Sequence, residues 1–413
     1  MSERNRKVTI VEINCANVGS TGTIMNAIAD KACMAGYEML TCCADSKTNR
    51  RKRTERTLYI GNRFTRFFQE KVEELFGING FLHFFSTLKL LNIIDNSNVD
   101  VIHLHNLHNS YINLPLLFNY IKRKKIKIIW TLHDCWSFTG HCPYFDMISC
   151  DKWKTECCHC QQYRDYPKSM VDNSRYMYRL KKEMFTGIRN LTIITPSQWL
   201  AGLVKESFLK DYPVKIINNG IDLDTFKPTQ GSFREKYGIL PEKHIVLGVA
   251  FDWGLRKGLD VFVELASKLD SDRYQIVLVG TNDKIDKHLP KNIISIHRTE
   301  NQKELAEIYT AADVFVNPTR EDNYPTVNME ALACGTPVIT YETGGSPEML
   351  DKTCGVVVPQ NDICELKKEI IRVCETKPFT AEACVKKARE FDKNEKYKQY
   401  VELYNEVCED NTI

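Results

Sequence analysis

Short apolar runs separated by longer amphipathic stretches form the main pattern of this chain. In the first half the runs cover residues 8–14, 99–105, 126–132 and 191–195, and in the second half residues 244–250, 274–280, 293–296, 313–317 and 338–341. Continuous apolar runs of this kind are typical of strands that helices cover on both faces. The pattern therefore predicts an α/β protein built from two doubly wound, Rossmann-like domains.

The length of 413 residues also favours two domains over one. We expect a first domain at residues 1–212, with a cysteine-rich insertion at 135–168, and a second domain at 213–393. The predicted boundary lies near Tyr212, shortly before the turn-forming string Asn219-Gly220-Ile221-Asp222. The last segment, 394–413, is expected to form a helix that crosses back over the first domain.

The stretch 319–335 is expected to form an anion site. A polar loop follows the strand at 313–317, then Pro325, then a short helix that Gly335 closes. The N–H groups of the first helical turn have no partner within the helix, so they can bind a phosphate. The candidate residues at this helix start are Asn323, Tyr324, Pro325, Thr326 and Val327.

Two carboxylates flank that helix start. Asp322 lies in the loop before the helix and Glu330 lies inside it. A carboxylate that binds no cation usually binds hydroxyl groups, so the stretch predicts a phosphate flanked by sugar. The neighbouring Glu321 could share or take the role of Asp322.

Adjacent cations follow the first strand of the second domain. Arg256, Lys257 and Gly258 come after the strand at 244–250 and before a predicted helix at 260–269. Cations at the carboxyl end of a parallel strand suit a diphosphate. Arg256 and Lys257 are therefore both candidates for binding the phosphates.

Polar residues also follow the strands of the first domain. A small-residue loop with Gly22 is expected at 18–23, before a helix at 24–35. His105 and Asn106 follow one strand, and His133 and Asp134 follow the next. Residues at these strand ends line the binding crevice of an open sheet, so His133 is the best-placed base or hydrogen-bond donor of this domain.

The segment 135–168 is rich in cysteine and poor in apolar residues. Cys142, Cys150, Cys157 and Cys160 end in a Cys-x-x-Cys pair and have spacing that suits a tetrahedral structural zinc site. We expect zinc to supply order that a core cannot supply here. Cys158 and His159 are alternative ligands, and unbound cysteines are the other interpretation.

Charge is divided unevenly between the halves. Residues 1–213 hold 30 Lys and Arg against 20 Asp and Glu, and residues 214–413 hold 26 against 33. Within residues 47–76 a basic run precedes phenylalanines at helical spacing. This segment is expected to lie on an anionic bilayer, the alternative being a helix that packs its phenylalanines inward.

Other features favour a cytoplasmic protein, peripheral at most to the inner face of the plasma membrane. The first residues show no secretory pattern, and no apolar run approaches the roughly 20 residues that span a bilayer. Sixteen cysteines without an export signal fit a reducing compartment.

The string Asp322-x-x-Pro325-x4-Glu330-Ala-x-Ala-x-Gly335-x-Pro337 resembles the paired-acid signature of retaining family 4 glycosyltransferases, which have the GT-B fold. The residues 133–142, His-Asp-Cys-Trp-Ser-Phe-Thr-Gly-His-Cys, are similar to a bacterial subgroup associated with exopolysaccharide, capsule and colanic-acid-type polysaccharides.

The resemblance implies two domains that face each other across a cleft and transfer of a hexosyl-type sugar with retention, without a catalytic metal. The sugar donor is expected to be a UDP- or GDP-sugar, and the acceptor a saccharide, either free or linked to polyprenyl diphosphate. Asp322 would contact the transferred sugar, Glu330 the ribose, Lys257 the phosphates and His133 the acceptor. The loop with Gly22 would face the donor phosphates, and His105, Asn106 and Asp134 would lie near the acceptor.

The sequence alone leaves two other functions open. A nucleotide-sugar epimerase of the GT-B fold would use the same donor residues and need no acceptor. A zinc-containing nucleic-acid-binding protein would use the arginines between 50 and 56 and the cysteine cluster. We expect no nucleic-acid partner, because the first basic residues lack interleaved aromatics and the second domain would have no role.

Overall fold

The computed structural model describes residues 6–124 and 126–409, which form two compact units. The first unit runs to Asn218 and resumes at Asn394, and the second covers Asn219–Lys393. Each is built on one parallel sheet with helices on both faces. The predicted fold class, α/β with two Rossmann-like domains, is confirmed.

The first unit contains a seven-stranded sheet in the order β3-β2-β1-β4-β5-β6-β7. Its strands are β1 (Thr9–Asn14), β2 (Glu38–Ala44), β3 (Thr57–Ile60), β4 (Val101–Leu104), β5 (Lys127–Thr131), β6 (Leu191–Thr195) and β7 (Val214–Ile216). Its helices are α1 (Gly19–Met34), α2 (Arg63–Phe76), α3 (Phe84–Asn96), α4 (Leu114–Lys124), α5 (Ser174–Phe185), α6 (Gln198–Glu206) and, from the end of the chain, α14 (Lys393–Glu409).

The second unit contains a six-stranded sheet in the order β10-β9-β8-β11-β12-β13. Its strands are β8 (His244–Val249), β9 (Tyr274–Val279), β10 (Ile293–Ile296), β11 (Val314–Asn317), β12 (Val338–Tyr341) and β13 (Gly355–Val358). Its helices are α7 (Phe233–Lys236), α8 (Leu259–Lys268), α9 (Asp283–Asp286), α10 (Gln302–Ala311), α11 (Thr326–Ala333), α12 (Ile363–Thr376) and α13 (Ala381–Ala388).

Strand residues point alternately into two apolar layers in each unit. In β8, Ile245 and Leu247 face a layer that includes α10, α11 and α13, whereas Val246 faces a layer with α8 and α12. In the first unit, Val11 packs toward α3 to α6 and Ile10 toward α1 and α14. Because both faces of the strands are buried, their sequences are continuously apolar and do not alternate with polar residues.

The predicted domain boundary at Tyr212 is too early. Strand β7 pairs in parallel with β6, with Ile193 opposite Val214, so residues 213–218 belong to the first unit. The run is only three residues long and half-buried, which made it resemble a linker in the sequence. The second unit therefore begins at Asn219.

Helix α14 packs on the first unit through aromatic residues. Tyr397, Tyr400 and Tyr404 are buried, and their spacing puts them on one face of the helix. The Tyr404 hydroxyl lies 2.7 Å from Nδ1 of His103, and the Tyr400 hydroxyl lies 3.3 Å from that of Thr131. The helix thus closes one side of the sheet with both apolar contact and hydrogen bonds.

Two local expectations are corrected by the first unit. The loop predicted at 18–23 is helical from Gly19, and Gly22 lies buried in the first turn of α1. A Cβ on Gly22 would lie 2.5 Å from the carbonyl carbon of Asn17, so this glycine permits close packing at the helix start. Helix α2 does not pack its phenylalanines inward, because Glu73 is its only buried residue.

The cysteine-rich segment has the apolar core that its composition did not predict. Trp153 is buried, and its ring lies 5.3 Å from that of Phe138 and 5.0 Å from that of Phe145. Buried Lys181 of α5 donates to the carbonyl oxygens of Trp136 and Thr139, at 2.7 and 3.1 Å. Order in this segment therefore does not depend on a metal alone.

No helix among residues 6–124 and 126–409 has both the length and the apolar content needed to cross a bilayer.

Candidate functional site

The second unit brings two sequence-predicted loops together where its strand order reverses. Strands β8 and β11 are neighbours in the sheet, and the chain leaves them in opposite directions. The loop after β8 carries Arg256 and Lys257, and the loop after β11 carries Asp322. Such a reversal opens a crevice at the carboxyl ends of the strands, which is where ligands bind in open α/β sheets.

Lys257 forms an ion pair with Asp322. Their side chains are 18% and 16% exposed, so the pair is partly shielded from water yet reachable by a ligand. Arg256 reinforces the contact, because its guanidinium donates to the carbonyl oxygen of Glu321 at 3.1 Å. The two candidate cations are thus both tied to the acidic loop, and Glu321, unlike Asp322, is fully buried.

Two glycines allow these loops to approach closely. Gly258 has a φ of +74°, and a Cβ there would lie 2.5 Å from the carbonyl oxygen of Pro318. Gly344 has a φ of +55°, and a Cβ there would lie 1.8 Å from the carbonyl oxygen of Asp322. The loop after β12 therefore supports the acidic loop from behind, and the Gly345 N–H donates to the carbonyl oxygen of Asn323 at 2.9 Å.

Helix α11 begins at Thr326, within the predicted range, with Pro325 at its N-cap. The Asn328 N–H donates to the carbonyl oxygen of Pro325 at 3.2 Å, whereas the N–H groups of Thr326 and Val327 have no partner within the helix, and both residues are only half-buried. The neighbouring Asn323 and Tyr324 are buried and hold the loop in place. The geometry leaves an anion-binding helix start beside the Lys257–Asp322 pair.

Glu330 lies one turn further along α11, four residues after Thr326. The Tyr309 hydroxyl donates to its carboxylate at 3.1 Å, and the Thr326 hydroxyl also binds it. Burial raises the pKa of Glu330 to about 7, although both hydroxyl groups act in the opposite sense. Further hydroxyl groups that donate to Glu330 would stabilise the ionised form of its carboxyl group.

In the first unit, His105 and His133 lie side by side at the ends of β4 and β5. Nδ1 of His105 is 3.0 Å from Nε2 of His133, and their rings are stacked. Burial lowers the pKa of both residues to about 3, so both are neutral near pH 7. His133 is therefore suited to orient a hydroxyl group as a neutral hydrogen-bonding partner, rather than to carry a proton.

A buried network backs this pair. The Glu12 carboxylate lies 3.4 Å from His103 and 3.6 Å from His105, with all three side chains inaccessible to solvent. Among residues 6–124 and 126–409, only this trio brings three possible metal-ligand atoms within 4.8 Å of one another. Both ring nitrogens of His103 already bind hydroxyl groups, of Tyr404 and Thr131, so hydrogen bonds hold this ring in place. Within the described residues, Oε2 of Glu12 and Nε2 of His105 have no hydrogen-bond partner.

Asp134 and Asn106 serve as supports in this unit. Nε2 of His108 lies 3.0 Å from the Asp134 carboxylate, which also accepts the Trp136 N–H at 2.9 Å. Although burial alone would raise it, these contacts hold the pKa of Asp134 below its usual value. The carbonyl oxygen of Asn106 accepts from the Cys15 N–H at 3.0 Å.

A cavity of about 200 Å³ lies next to this network. The residues that line it include Asn109, Trp136, Tyr166, Glu70 and Glu74. The Tyr166 hydroxyl lies 3.0 Å from His108 and donates to the Asn109 side chain at 2.6 Å. Polar groups and aromatic faces together make a surface suited to a saccharide.

Sequence reasoning missed Glu12, Tyr166 and Arg320. A lone acid inside the apolar run of β1 was the available signal for Glu12. Tyr166 belongs to a Tyr-Pro-Lys-Ser string that also resembles the bacterial subgroup, but the segment has no periodicity that would place its side chain beside a cavity. Arg320 binds Asp260 through two hydrogen bonds of 2.7 and 2.8 Å, which fastens the acidic loop to α8.

The four candidate zinc ligands lie in one region without forming a closed site. The thiols of Cys142 and Cys160 are hydrogen-bonded, which raises the pKa of Cys142 and lowers that of Cys160. Cys150 and Cys157 line the same cavity, of about 180 Å³, as do the alternatives Cys158 and His159. Within the described part of the chain, no three of these thiols lie within 4.8 Å of one another.

The arginines of the basic run are partly neutralised within the first unit. Arg50 makes two hydrogen bonds to Asp45, of 2.6 and 2.9 Å, and Arg56 binds Asp30 at 2.5 Å. Cations that are already paired contribute less to binding a phosphate backbone. This arrangement weakens the nucleic-acid alternative.

Comparison with known proteins gives two family matches. The model described as glycosyltransferase family 4 matches residues 25–225, and the model described as glycosyl transferases group 1 matches residues 231–394. A relative from Escherichia coli strain K12, WcaC, is named as a colanic acid biosynthesis glycosyl transferase and is 29% identical over 277 residues. That alignment covers 64% of this chain and 65% of WcaC, just under two thirds of the relative.

Solved structures share the fold along nearly the whole chain. Sucrose-phosphate synthase from Thermosynechococcus elongatus has a TM-score of 0.73 at 18% identity and covers 97% of this chain and 99% of its own. Anabaena Alr3699/HepE, solved in complex with UDP-glucose, has a TM-score of 0.66 at 14% identity and covers 96% and 99%. These likenesses support the GT-B fold for both sheets. One glycosyltransferase model matches most of each unit, and the two matches together support a group 1/family 4 glycosyltransferase.

Proposed function

We propose that this protein transfers a sugar from a nucleoside-diphosphate sugar to a saccharide acceptor, with retention of anomeric configuration, in the synthesis of a bacterial surface polysaccharide. The proposed sugar donor is a UDP- or GDP-hexose, and the acceptor is a glycan or a saccharide linked to polyprenyl diphosphate. The name of WcaC supports the polysaccharide, and the UDP-glucose bound in Alr3699/HepE supports the class of sugar donor.

One observation carries the proposal: Lys257, Asp322 and the start of α11 meet at the carboxyl ends of β8 and β11. A cation and free N–H groups suit a diphosphate, and Asp322 and Glu330 suit the hydroxyl groups on either side of it. A site that bound only an anion would not need two carboxylates so close to the phosphates. Carboxylates repel an anion unless hydroxyl groups lie between them.

Charge stabilisation is the main task of the donor residues. As the bond between the anomeric carbon and the diphosphate oxygen breaks, negative charge grows on the diphosphate. Lys257, Arg256 and the N–H groups of Thr326 and Val327 would stabilise that charge without a catalytic metal. A phosphate that binds Lys257 would also release Asp322 from its ion pair, which leaves this carboxylate to orient the sugar.

Retention requires that the acceptor oxygen attack the face from which the diphosphate leaves. In the proposed step the acceptor oxygen bonds to the anomeric carbon, and its proton passes to the departing diphosphate oxygen. His133, neutral near pH 7, would orient the acceptor hydroxyl or the 6-hydroxyl group of the sugar. His105 and Glu12 would hold its ring in place from behind.

A structural zinc ion held by Cys142, Cys150, Cys157 and Cys160 is a separate part of the proposal. Four thiolates with a closing Cys-x-x-Cys pair suit tetrahedral zinc, and all four residues line one cavity. Zinc–sulfur bonds of about 2.3 Å would draw these thiols closer together than they lie here. Because Trp153 and its aromatic neighbours already order the segment, the metal would add stability rather than create the fold.

The first test is to incubate the purified protein with a panel of UDP- and GDP-sugars and to follow thermal stability and products. The right donor should raise Tm by mass action, and a saccharide acceptor should then yield a new glycoside of retained configuration. Conversion of the nucleotide sugar without any acceptor would identify an epimerase and reject the proposed transfer.

Replacing Lys257 tests the charge stabilisation. Loss of one group that stabilises the transition state typically costs a factor of about 100 to 1,000, so Lys257→Ala should lower kcat by about that factor with little change in Tm. Lys257→Arg, which keeps the charge, should retain part of the activity. Lys303→Ala removes an exposed lysine of the same unit and should behave as wild type. Unchanged kcat in Lys257→Ala would reject the assignment.

Binding of the nucleotide should depend on pH through Glu330. Its pKa of about 7 means that the carboxyl group is mostly protonated at pH 6 and mostly ionised at pH 8. Ribose hydroxyl groups favour the ionised form, so UDP affinity should rise as pH rises through 7. Calorimetric titration of wild type and Glu330→Gln at both values isolates this effect, because ionisation of UDP itself is common to both.

The Glu330→Gln variant should bind UDP more weakly at pH 8 and show a smaller change in affinity between the two pH values. Glu382→Gln alters an exposed carboxyl group on α13 and should titrate as wild type. Equal pH dependence in wild type and Glu330→Gln would remove Glu330 from the nucleotide site.

Elemental analysis tests the metal. Protein purified without chelators should contain one zinc ion per chain, and Cys160→Ser should lose the zinc and melt at a lower temperature. Cys364→Ser changes an exposed cysteine outside the cluster and should keep both properties. Removal of zinc should lower Tm without stopping transfer at once. If wild-type protein without zinc has the same Tm as the zinc-bound protein, the zinc site is disproved.

A further inference from the structure

Helix α2 carries a continuous apolar face that points away from the protein. Phe64, Phe67, Phe68, Val72, Leu75 and Phe76 are each between 41% and 72% exposed. A helix of a globular protein normally turns such a face toward the core. Large exposed apolar patches of this kind mark surfaces that contact a partner or a membrane.

The helix is fixed in this orientation by its polar side. The buried Glu73 carboxylate accepts the N–H groups of Gly80, Phe81 and Leu82 at 3.0 to 3.1 Å and also binds the Ser110 hydroxyl. At the other end, the Asn62 side chain accepts the Phe64 N–H at 2.9 Å. An ordinary amphipathic helix buries its apolar side, whereas α2 buries an acid and presents phenylalanines to solvent.

The apolar surface continues onto neighbouring elements. At the start of α3, Phe84, Phe85 and Leu88 are exposed, Phe85 to 84%. An open groove of about 530 Å³ joins this region to Asn62, the N-cap of α2. On the other side, the N–H group of exposed Met170 donates to the carbonyl oxygen of Glu74 at 2.8 Å. The patch therefore spans three segments of one unit.

Cations are interspersed with the apolar side chains. Arg63, Lys71, Lys89 and Lys168 are exposed around the patch, and Arg63 lies 4.7 Å from the centre of the Phe64 ring. Glu70 and Glu74 are the acids on this helix besides buried Glu73, and Glu74 is paired with Lys71 and Lys168. The exposed rim is thus net positive.

Exposed apolar side chains surrounded by cations favour a bilayer over a second copy of the chain as the partner of this patch. A two-fold dimer through α2 would bring the same cations of both copies together, which costs electrostatic energy. An anionic lipid surface instead neutralises them, while aromatic side chains enter the boundary between headgroups and acyl chains. We propose that the α2 patch docks the protein on an anionic bilayer.

Docking would also place the acceptor cavity at the lipid surface, a consequence that rests on the proposed function. The cavity of about 200 Å³ is lined by Glu70 and Glu74 of α2, and by Trp136 and Tyr166. The outer face of α2 therefore contacts lipid in this arrangement, while residues of the same helix border the saccharide. A glycan on a membrane-bound diphosphate would reach the cavity without leaving the bilayer.

The test is co-sedimentation of the full-length protein with vesicles of phosphatidylcholine, with and without phosphatidylglycerol. Wild type should bind the anionic vesicles, and rising salt should weaken the binding. Phe67→Gln/Phe68→Gln should reduce binding at least tenfold, with unchanged Tm because both rings are exposed. Arg63→Gln/Lys89→Gln should remove much of the salt dependence. Leu240→Gln, at an exposed leucine of the second unit, should bind as wild type.

Wild-type binding by the double phenylalanine variant, or no binding of wild type to anionic vesicles, would overturn the proposal. So would a dimer in light scattering, without lipid, that Phe67→Gln/Phe68→Gln converts to monomer. UDP binding, measured on the same proteins without vesicles, should be equal in all of them. If wild type binds neither UDP nor GDP, the proposed function is refuted, and the vesicle result stands independently of it.

Discussion

The ion pair between Lys257 and Asp322 is the contact on which the candidate donor site depends. It joins loops from two neighbouring strands that run on to opposite sides of the strand order. Neither loop has a regular structure that would fix its position, apart from the short turn at Leu255–Lys257. The pair, together with Arg320 on Asp260, holds both loops against the start of α11. Because Lys257 and Asp322 neutralise each other, neither partly buried charge is left without a partner, which would cost free energy.

The two units use buried polar groups in different ways. In the second unit Lys257 and Asp322 are partly exposed, so a ligand could reach both side chains. In the first unit Glu12, His103 and His105 are inaccessible to solvent. Hydrogen bonds to Tyr404, Thr131 and His133 hold the two histidine rings in place. The first arrangement suits a reaction that moves charge, whereas the second suits the orientation of a neutral hydroxyl group. The two units therefore differ in whether their ionisable side chains are open to a ligand or buried in a fixed arrangement.

Local pattern was enough to predict much of this molecule. The nine apolar runs each located a strand to within about two residues, and Pro325 and Gly335 located α11, because these signals act within a few positions of themselves. Strands β2, β3, β7 and β13 were not predicted. Prediction failed where the cause lay far along the chain. The partner of His103 is Tyr404, 301 positions away, and no local rule connects them. The boundary at Tyr212 was wrong because only pairing with β6 shows that β7 is a strand. The cysteine-rich segment looked poor in core residues, since two tryptophans and two phenylalanines do not form a periodic pattern.

The position of α14 bears on the order in which the units can be completed. Everything the second unit needs lies between Asn219 and Lys393, so it can close as soon as that stretch has left the ribosome. The first unit, although most of it is made earlier, must wait for Tyr397, Tyr400 and Tyr404. Until then the hydroxyl group that meets His103 is absent, and the apolar side chains of Ile10 and Ile129 lack part of their cover. The half that is synthesised first is therefore the half that is finished last.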